Sequence, residues 1–245
     1  MCKLVIDDRV VICALTVFAS SWFYLPILVD TKVGKCVMTK QILICNYKGG
    51  VGKTSTAINI ADWLENQNHS VMLIDCDPNR SATKLKARGE SLDFKILSQQ
   101  RALSELQKKS YEYLVIDSQA RPHSEELSDF ADGADLVVLP MAPSIDDLDP
   151  TLEAIADLKK LGIDHYRILL SAVPPKPSRE GETMRDELLS GGYRVFDSWI
   201  RRSAGIPKAA LEGCAVRNLT GSYKLPGRDY AKLGTEIIQF LEEEE

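Results

Sequence analysis

Short, uninterrupted apolar runs alternate with stretches of helical periodicity along most of the chain. Ile42 to Asn46, Val71 to Asp75, Tyr113 to Asp117, Leu136 to Pro140, Ile168 to Val173 and Arg194 to Phe196 read as strands. Val71-Met72-Leu73-Ile74 and Leu136-Val137-Val138-Leu139 are apolar at every position, which a strand requires when both of its faces are buried. Leu148, Leu152, Ile155, Leu158 and Leu161 recur at helical spacing, as do Tyr230, Leu233, Ile237 and Phe240. Each set is a stripe that faces a core. The alternation predicts an α/β fold built on a mostly parallel, twisted sheet with helices on both faces. Pro174-Pro175-Lys176-Pro177 is too short to separate domains and no internal repeat is visible, so residues 38–245 are expected to form one domain.

The first 37 residues follow a different pattern. Val10 to Val29 carries no charge over twenty residues, and a helix of that length spans about 30 Å, enough to cross a bilayer. Pro26 interrupts the run, and Met38-Thr39-Lys40-Gln41 followed by an apolar strand reads as a natural start. Residues 1–37 are therefore expected to be an extension outside the functional domain, with a membrane segment as the alternative. No small-residue cleavage site of the secretory kind accompanies the run, which argues against export.

Composition narrows the class further. With 44% hydrophobic and 27% charged residues in 245, the chain can bury a sizeable core, and disorder is excluded. A net charge of −5 argues against a protein that is basic all over, although it permits one local basic face. The six cysteines, at 2, 13, 36, 45, 76 and 214, form no C-x-x-C pair and read as reduced thiols.

The chemistry concentrates after the first strand. Gly49-Gly50-Val51-Gly52-Lys53-Thr54 links that strand to a helical segment containing Ala57, Ile58, Ala61 and Leu64, which is the setting a phosphate-binding loop needs. Glycines bring backbone N–H groups close to phosphate, and the helix N-terminus adds its positive end. Gly49, Gly50, Val51, Gly52, Lys53, Thr54 and Ser55 are the candidates for holding nucleotide, with Lys53 facing the β and γ phosphates and Thr54 facing Mg²⁺. Asp75 and Asp77 follow the second strand, and Asp117 ends the third. An aspartate at a strand end is often no more than a helix cap, so these gain meaning only beside the loop.

The general loop pattern has a first glycine where this chain has Tyr47, and a second lysine, Lys48, follows. Lys48-Gly49-Gly50-Val51-Gly52-Lys53-Thr54 resembles the deviant Walker A box of the ParA/MinD ATPases. The resemblance implies ATP and Mg²⁺ as cofactors and an ATP-bound homodimer in which Lys48 reaches the partner's phosphates. It further implies that Asp77 orients the attacking water, that Asp75 supports Mg²⁺ or Lys53, and that Asp117 reaches Mg²⁺ through water. Residues 118–122 fall at the family's nucleotide-sensing loop, and 139–144 resemble its next strand end. Family position places base contacts near Pro174 and Pro175.

Within that superfamily, cluster-holding electron donors need more cysteines than Cys76 and Cys214 provide. MinD-type relatives carry a basic amphipathic C-terminal helix, whereas Phe240-Leu241 here precedes four glutamates, so a membrane is an unsuitable partner for 38–245. Bacterial tyrosine kinases end in a tyrosine cluster, and Tyr230 is the last tyrosine of this chain. The few residues between Met38 and the first strand leave no room for a DNA-reading domain, so the resemblance is to the small ParA proteins. Residues 194–232 hold eight basic residues, Arg194, Arg201, Arg202, Lys208, Arg217, Lys224, Arg228 and Lys232, against Asp197, Glu212 and Asp229, a local excess of +5. That excess suits duplex DNA bound without regard to sequence, with Arg201, Arg202, Lys224 and Arg228 as the candidate contacts. The expectation is a cytoplasmic, nucleoid-associated ATPase whose hydrolysis a ParB-like or cargo-adaptor protein stimulates. A membrane-linked signalling ATPase or kinase is the alternative, and a small-molecule ligating enzyme such as dethiobiotin synthase is a third.

Overall fold

The computed structural model describes residues 39–122 and 124–243. The N-terminal extension and its apolar run, Val10 to Val29, lie outside the described residues. Among the described residues no helix is long and apolar enough to cross a membrane.

Six strands form one parallel sheet: β1 (Lys40–Asn46), β2 (Val71–Asp75), β3 (Lys95–Ser98), β4 (Tyr113–Ala120), β5 (Leu136–Met141) and β6 (Tyr166–Leu170), in the order β3-β2-β4-β1-β5-β6. Among the described residues eight α-helices connect and flank them: α1 (Lys53–Asn66), α2 (Ser81–Lys86), α3 (Gln99–Leu106), α4 (Ser124–Asp132), α5 (Ile145–Lys160), α6 (Glu180–Ser190), α7 (Gly205–Glu212) and α8 (Pro226–Glu243).

The middle of each long strand is an uninterrupted apolar run because it feeds two cores. Ile42, Ile44, Leu73, Val115 and Val138 face the layer of α1, α2, α7 and α8. Leu43, Cys45, Met72, Ile74, Leu114, Ile116, Val137 and Leu139 face the layer of α3 to α6. Successive side chains of a strand point to opposite faces, so a run without polar residues serves both layers.

Two expectations need correction. Lys95–Ser98 is a strand that the sequence pattern did not reveal, because it is four residues long and pairs only along β2 at the sheet edge. Arg194 to Phe196 is not a ladder strand; Val195 makes one isolated parallel bridge to Ile168. The segment that follows bends at Asp197 and returns alongside β6, where Ile200 N–H donates to the Leu170 carbonyl and Arg201 bridges Val173.

The C-terminal segment is bound to one face of α1. Asn59 Oδ1 accepts the Val216 N–H at 2.9 Å, and buried Asp62 pairs with Arg217. Further along, a Cβ on Gly234 would come within 2.2 Å of the Trp63 ring, so only glycine lets α8 press this close.

Candidate functional site

Register gathers the site at the C-terminal edge of the sheet. Asp117 lies opposite both Ile44 of β1 and Asp75 of β2, so the loop leaving β1 opens beside two aspartates. β4 inserts between β1 and β2, and in open parallel sheets such a crossover point is where ligands bind.

The loop is shaped by its glycines. Gly50 and Gly52 have φ of +80° and +92°, and nothing lies within 4 Å of where a Cβ would stand. Those dihedrals favour glycine, and the empty space leaves the backbone open to a ligand. Gly52 N-caps α1 in a left-handed conformation, with the first helical bond running from Thr56 N–H to the Gly52 carbonyl at 2.8 Å. The Lys53 ammonium donates to the Asn46 and Lys48 carbonyls at 3.2 and 2.8 Å. An ammonium has three protons, so one remains to be directed elsewhere. Burial lowers the Lys53 pKa, while Asp117, Cys45 and Asp77 pull it the other way.

Asp117 is 0% exposed, and neither of its oxygens has a hydrogen-bond partner of good geometry among the described residues. Burial pushes its pKa up to about 7; the Thr54 hydroxyl and Lys53 lower it, while Asp75 and Asp77 add to the rise. An orphaned carboxylate this deep is costly unless a cation or polar ligand completes it. Mg²⁺ fits that requirement, since it is commonly held by one or two carboxylates, a hydroxyl, waters and substrate phosphates. No three His, Cys, Asp or Glu side chains form a cage among the described residues, which suits the same mode of binding.

The other two aspartates are already engaged. Asp75 accepts from the Thr83 N–H and hydroxyl at 2.8 and 2.6 Å, holding the start of α2. Asp77 accepts from the Asn79 N–H at 2.9 Å and the Ser81 hydroxyl at 2.9 Å. Asp77 nevertheless lines a cleft of about 590 Å³ with Gly50, Lys53, Thr54, Ser55 and Ser118. A second cleft of about 270 Å³ lies against the same loop, lined by Val51, Thr56, Ala172, Arg202, Ile206 and Tyr230. Pro174 and Pro175 do not line it.

Sequence reasoning passed over Asn46. Fully buried, it donates to the Pro140 carbonyl and the Thr151 hydroxyl, both at 2.8 Å, and accepts the Lys48 N–H at 3.0 Å. It ties the loop to β5 and α5; a polar residue ending the apolar run of residues 42–45 was the available signal. Tyr47, where a glycine is usual, packs on the second core and donates to Asp157 at 2.8 Å. Lys48 makes no side-chain hydrogen bond or ion pair among the described residues.

The basic segment is less open than its composition suggested. Arg194 pairs with Asp164, Lys208 with Glu212 and Arg217 with Asp62. Arg201 is held by both Asp229 oxygens at 2.6 Å, and so serves as an anchor for α8 rather than as an open cation. Lys224, Arg228 and Lys232 are exposed and make no ion pair among the described residues. Arg202 is exposed at the mouth of the second cleft.

The profile described as CobQ/CobB/MinD/ParA nucleotide binding domain matches residues 42–216. A curated relative, the maintenance of carboxysome distribution protein A of Gloeobacter kilaueensis, is 30% identical over 203 residues, 81% of this chain and 94% of its own. Protein ParA of Rhizobium radiobacter is 26% identical over 175 residues, 64% of this chain and 75% of its own. Among solved structures, the septum site-determining protein MinD of Pyrococcus horikoshii, complexed with Mg-ADP, superposes with a TM-score of 0.60 at 20% identity over 82% of this chain and 96% of that one. At that identity the likeness shows the fold.

Proposed function

The chain belongs to the CobQ/CobB/MinD/ParA family of nucleotide-binding domains, and from that premise we propose that it is a DNA-partition or cargo-positioning ATPase. In this reading ATP closes a homodimer, the dimer binds DNA without sequence preference, and a ParB-like or cargo-adaptor protein stimulates hydrolysis and release. The observation that carries the nucleotide half is the loop itself. Two left-handed glycines face open space, Lys53 has one uncommitted proton, and the orphaned Asp117 lies alongside. Cytoplasmic, nucleoid-associated localisation follows from the same reading, as does a reading of residues 1–37 as an extension outside the working domain.

The chain's own groups divide the work. Backbone N–H groups of residues 49–55 hold the phosphates, and Lys53 directs its free proton to them. Thr54 and Asp117 would hold Mg²⁺, with Asp75 behind them fixing the turn that carries Asp77. Bound Mg²⁺ would supply positive charge at the β and γ phosphate oxygens. Asp77, braced by Asn79 and Ser81, orients the attacking water. Lys48, with its side chain uncommitted, reaches the partner's phosphates and places positive charge where it accumulates during phosphoryl transfer.

That division predicts complementation. Lys48→Ala and Asp77→Ala should each bind ATP and fail to turn it over, and an equimolar mixture should recover activity. In a heterodimer the site on the Lys48→Ala subunit keeps its own Asp77 and receives an intact Lys48 from the other subunit. Random pairing of a two-fold dimer then gives about a quarter of wild-type turnover. Steady-state ATPase assays of the mixture check this; a mixture as inactive as its components would rule out a lysine acting in trans.

For DNA, Lys224, Arg228 and Lys232 form the stripe we assign, with Arg202 beside it. Arg228 and Lys232 are four residues apart on α8, hence on one helical face. Two subunits would offer about six cations, giving a log–log salt slope of about −5 on duplex DNA. Changing the three to glutamate should weaken binding about a hundredfold on every sequence while ATP binding survives. Duplex titrations across a salt series, with ATP, ADP and no nucleotide, test the reading. Binding indifferent to salt, to nucleotide or to the triple change would end it.

A further inference from the structure

The face of α1 that carries the C-terminal segment is satisfied at every station but one. Asn59 is bonded to Val216, Asp62 to Arg217, and the Trp63 ring packs on Gly234. Thr56 precedes them by one helical turn on the same face and lies three residues from Lys53. Its hydroxyl is fully buried and has no hydrogen-bond partner of good geometry among the described residues.

Across from it is Tyr230 of α8, only 3% exposed. Burial raises the Tyr230 pKa, the adjacent Thr56 hydroxyl tempers the rise, and Asp229 adds to it. The two hydroxyls are thus neighbours close enough to interact, although the Thr56 hydroxyl has no partner of good geometry among the described residues. Both residues line the 270 Å³ cleft, so the pair sits beside the place where ligand would lie. Tyrosine hydroxyls buried this deeply usually find a partner.

The two residues before Tyr230 connect the station to the surface. Asp229 grips Arg201, whose backbone N–H also donates to Asp229 Oδ2 at 3.2 Å. Arg228 projects outward in the basic stripe. Three consecutive residues at the start of α8 therefore face the cleft, the anchoring segment and the exterior.

We propose that the 270 Å³ cleft takes the nucleoside and that Tyr230, with Thr56, is a positioning pair that links its occupancy to the placement of α8 and its basic stripe. This rests on the nucleotide-binding part of the reading above. A nucleoside that packs against the pair binds the α8 position that keeps the two hydroxyls together better than one that parts them, and that difference is what coupling requires. Coupling is reciprocal, so DNA and nucleotide should strengthen each other by the same factor, and loss of the tyrosine hydroxyl should reduce both effects equally.

Trp63 supplies a reporter that does not depend on DNA, because α8 packs directly on its ring. In the full chain with Trp22 and Trp199 changed to phenylalanine, saturating ATP with Mg²⁺ should shift Trp63 emission, with DNA absent. Tyr230→Phe should remove most of that shift at saturation, whatever its effect on affinity, and Thr56→Val should do the same. The ratio of DNA affinities with and without nucleotide should fall about tenfold toward unity in Tyr230→Phe. An undiminished Trp63 shift in Tyr230→Phe overturns the proposal, as does a parent chain with no shift at saturating nucleotide. Loss of all nucleotide binding in Tyr230→Phe also overturns it, since the hydroxyl would then be a binding group alone. A Trp63 shift that depends on Tyr230, in a protein whose DNA binding ignores nucleotide, supports the linkage and refutes the DNA reading instead.

Discussion

Lys53→Ala should lower ATP affinity about a thousandfold, the largest loss expected from any single change in the loop. The ammonium is already fixed by two carbonyls, at 3.2 and 2.8 Å, so its remaining proton is aimed rather than free to wander. The charge-assisted hydrogen bond made by that proton contributes about 1.5–3 kcal/mol, and the attraction of the ammonium charge for the neighbouring phosphate brings the total to the thousandfold, about 4 kcal/mol. The variant also leaves the Asn46 and Lys48 carbonyls without this donor, which should cost about 1–2 kcal/mol of stability. Lys53→Met keeps the length of the stem but not the ammonium, so it should lose affinity as fully as alanine if charge rather than packing is what the loop supplies. Calorimetric titration with ATP and Mg²⁺ decides the matter. Unchanged affinity in either variant would mean that the loop holds no triphosphate.

The parts of this molecule that could be read from sequence are those where one residue type has one physical reason. Gly50 and Gly52 announce left-handed backbone, Lys53 announces charge beside it, and the apolar runs of β2 and β5 announce burial on both faces. The edge strand β3 was hidden because four residues carry too little periodicity to stand out. The basic excess of residues 194–232 was visible as a sum, yet its disposition was not. The acids that neutralise Arg194 and Arg217 are Asp164 and Asp62, which lie far away in sequence. Arg201 and Arg202 are adjacent in the chain, but one is clamped by Asp229 while the other stands at the second cleft. Only the fold separates them. Asn46 and the Thr56–Tyr230 pair are of the same kind, since their meaning comes from partners brought together by β5, α5 and α8.

Asp117→Asn should make the protein more stable and useless at the same time. The pKa of Asp117 is raised from 3.8 to about 7, chiefly by burial, so the folded state keeps a proton that the unfolded chain releases. Between pH 4 and pH 7 unfolding therefore sheds a proton, and stability falls as pH rises through that window. A rise of that size corresponds to an upper bound of about 4 kcal/mol. Asparagine has no charge to bury, although its amide inherits the unpartnered surroundings, which offsets about 1 kcal/mol or more of the gain. Without metal or nucleotide, the variant should match the wild type near pH 4 and exceed it by about 2–3 kcal/mol at pH 8. For a domain of this size that is roughly 4–12 °C in Tm. Adding ATP with Mg²⁺ at pH 8 should reverse the ranking, because ligand that binds only the folded wild type stabilises it by mass action. Thermal melts at pH 4, 6 and 8, with and without ATP and Mg²⁺, measure both halves. A variant no more stable than the wild type at pH 8 without ligand would show that the buried carboxylate is not strained. If ATP and Mg²⁺ stabilise both proteins equally, Asp117 has no part in holding the metal.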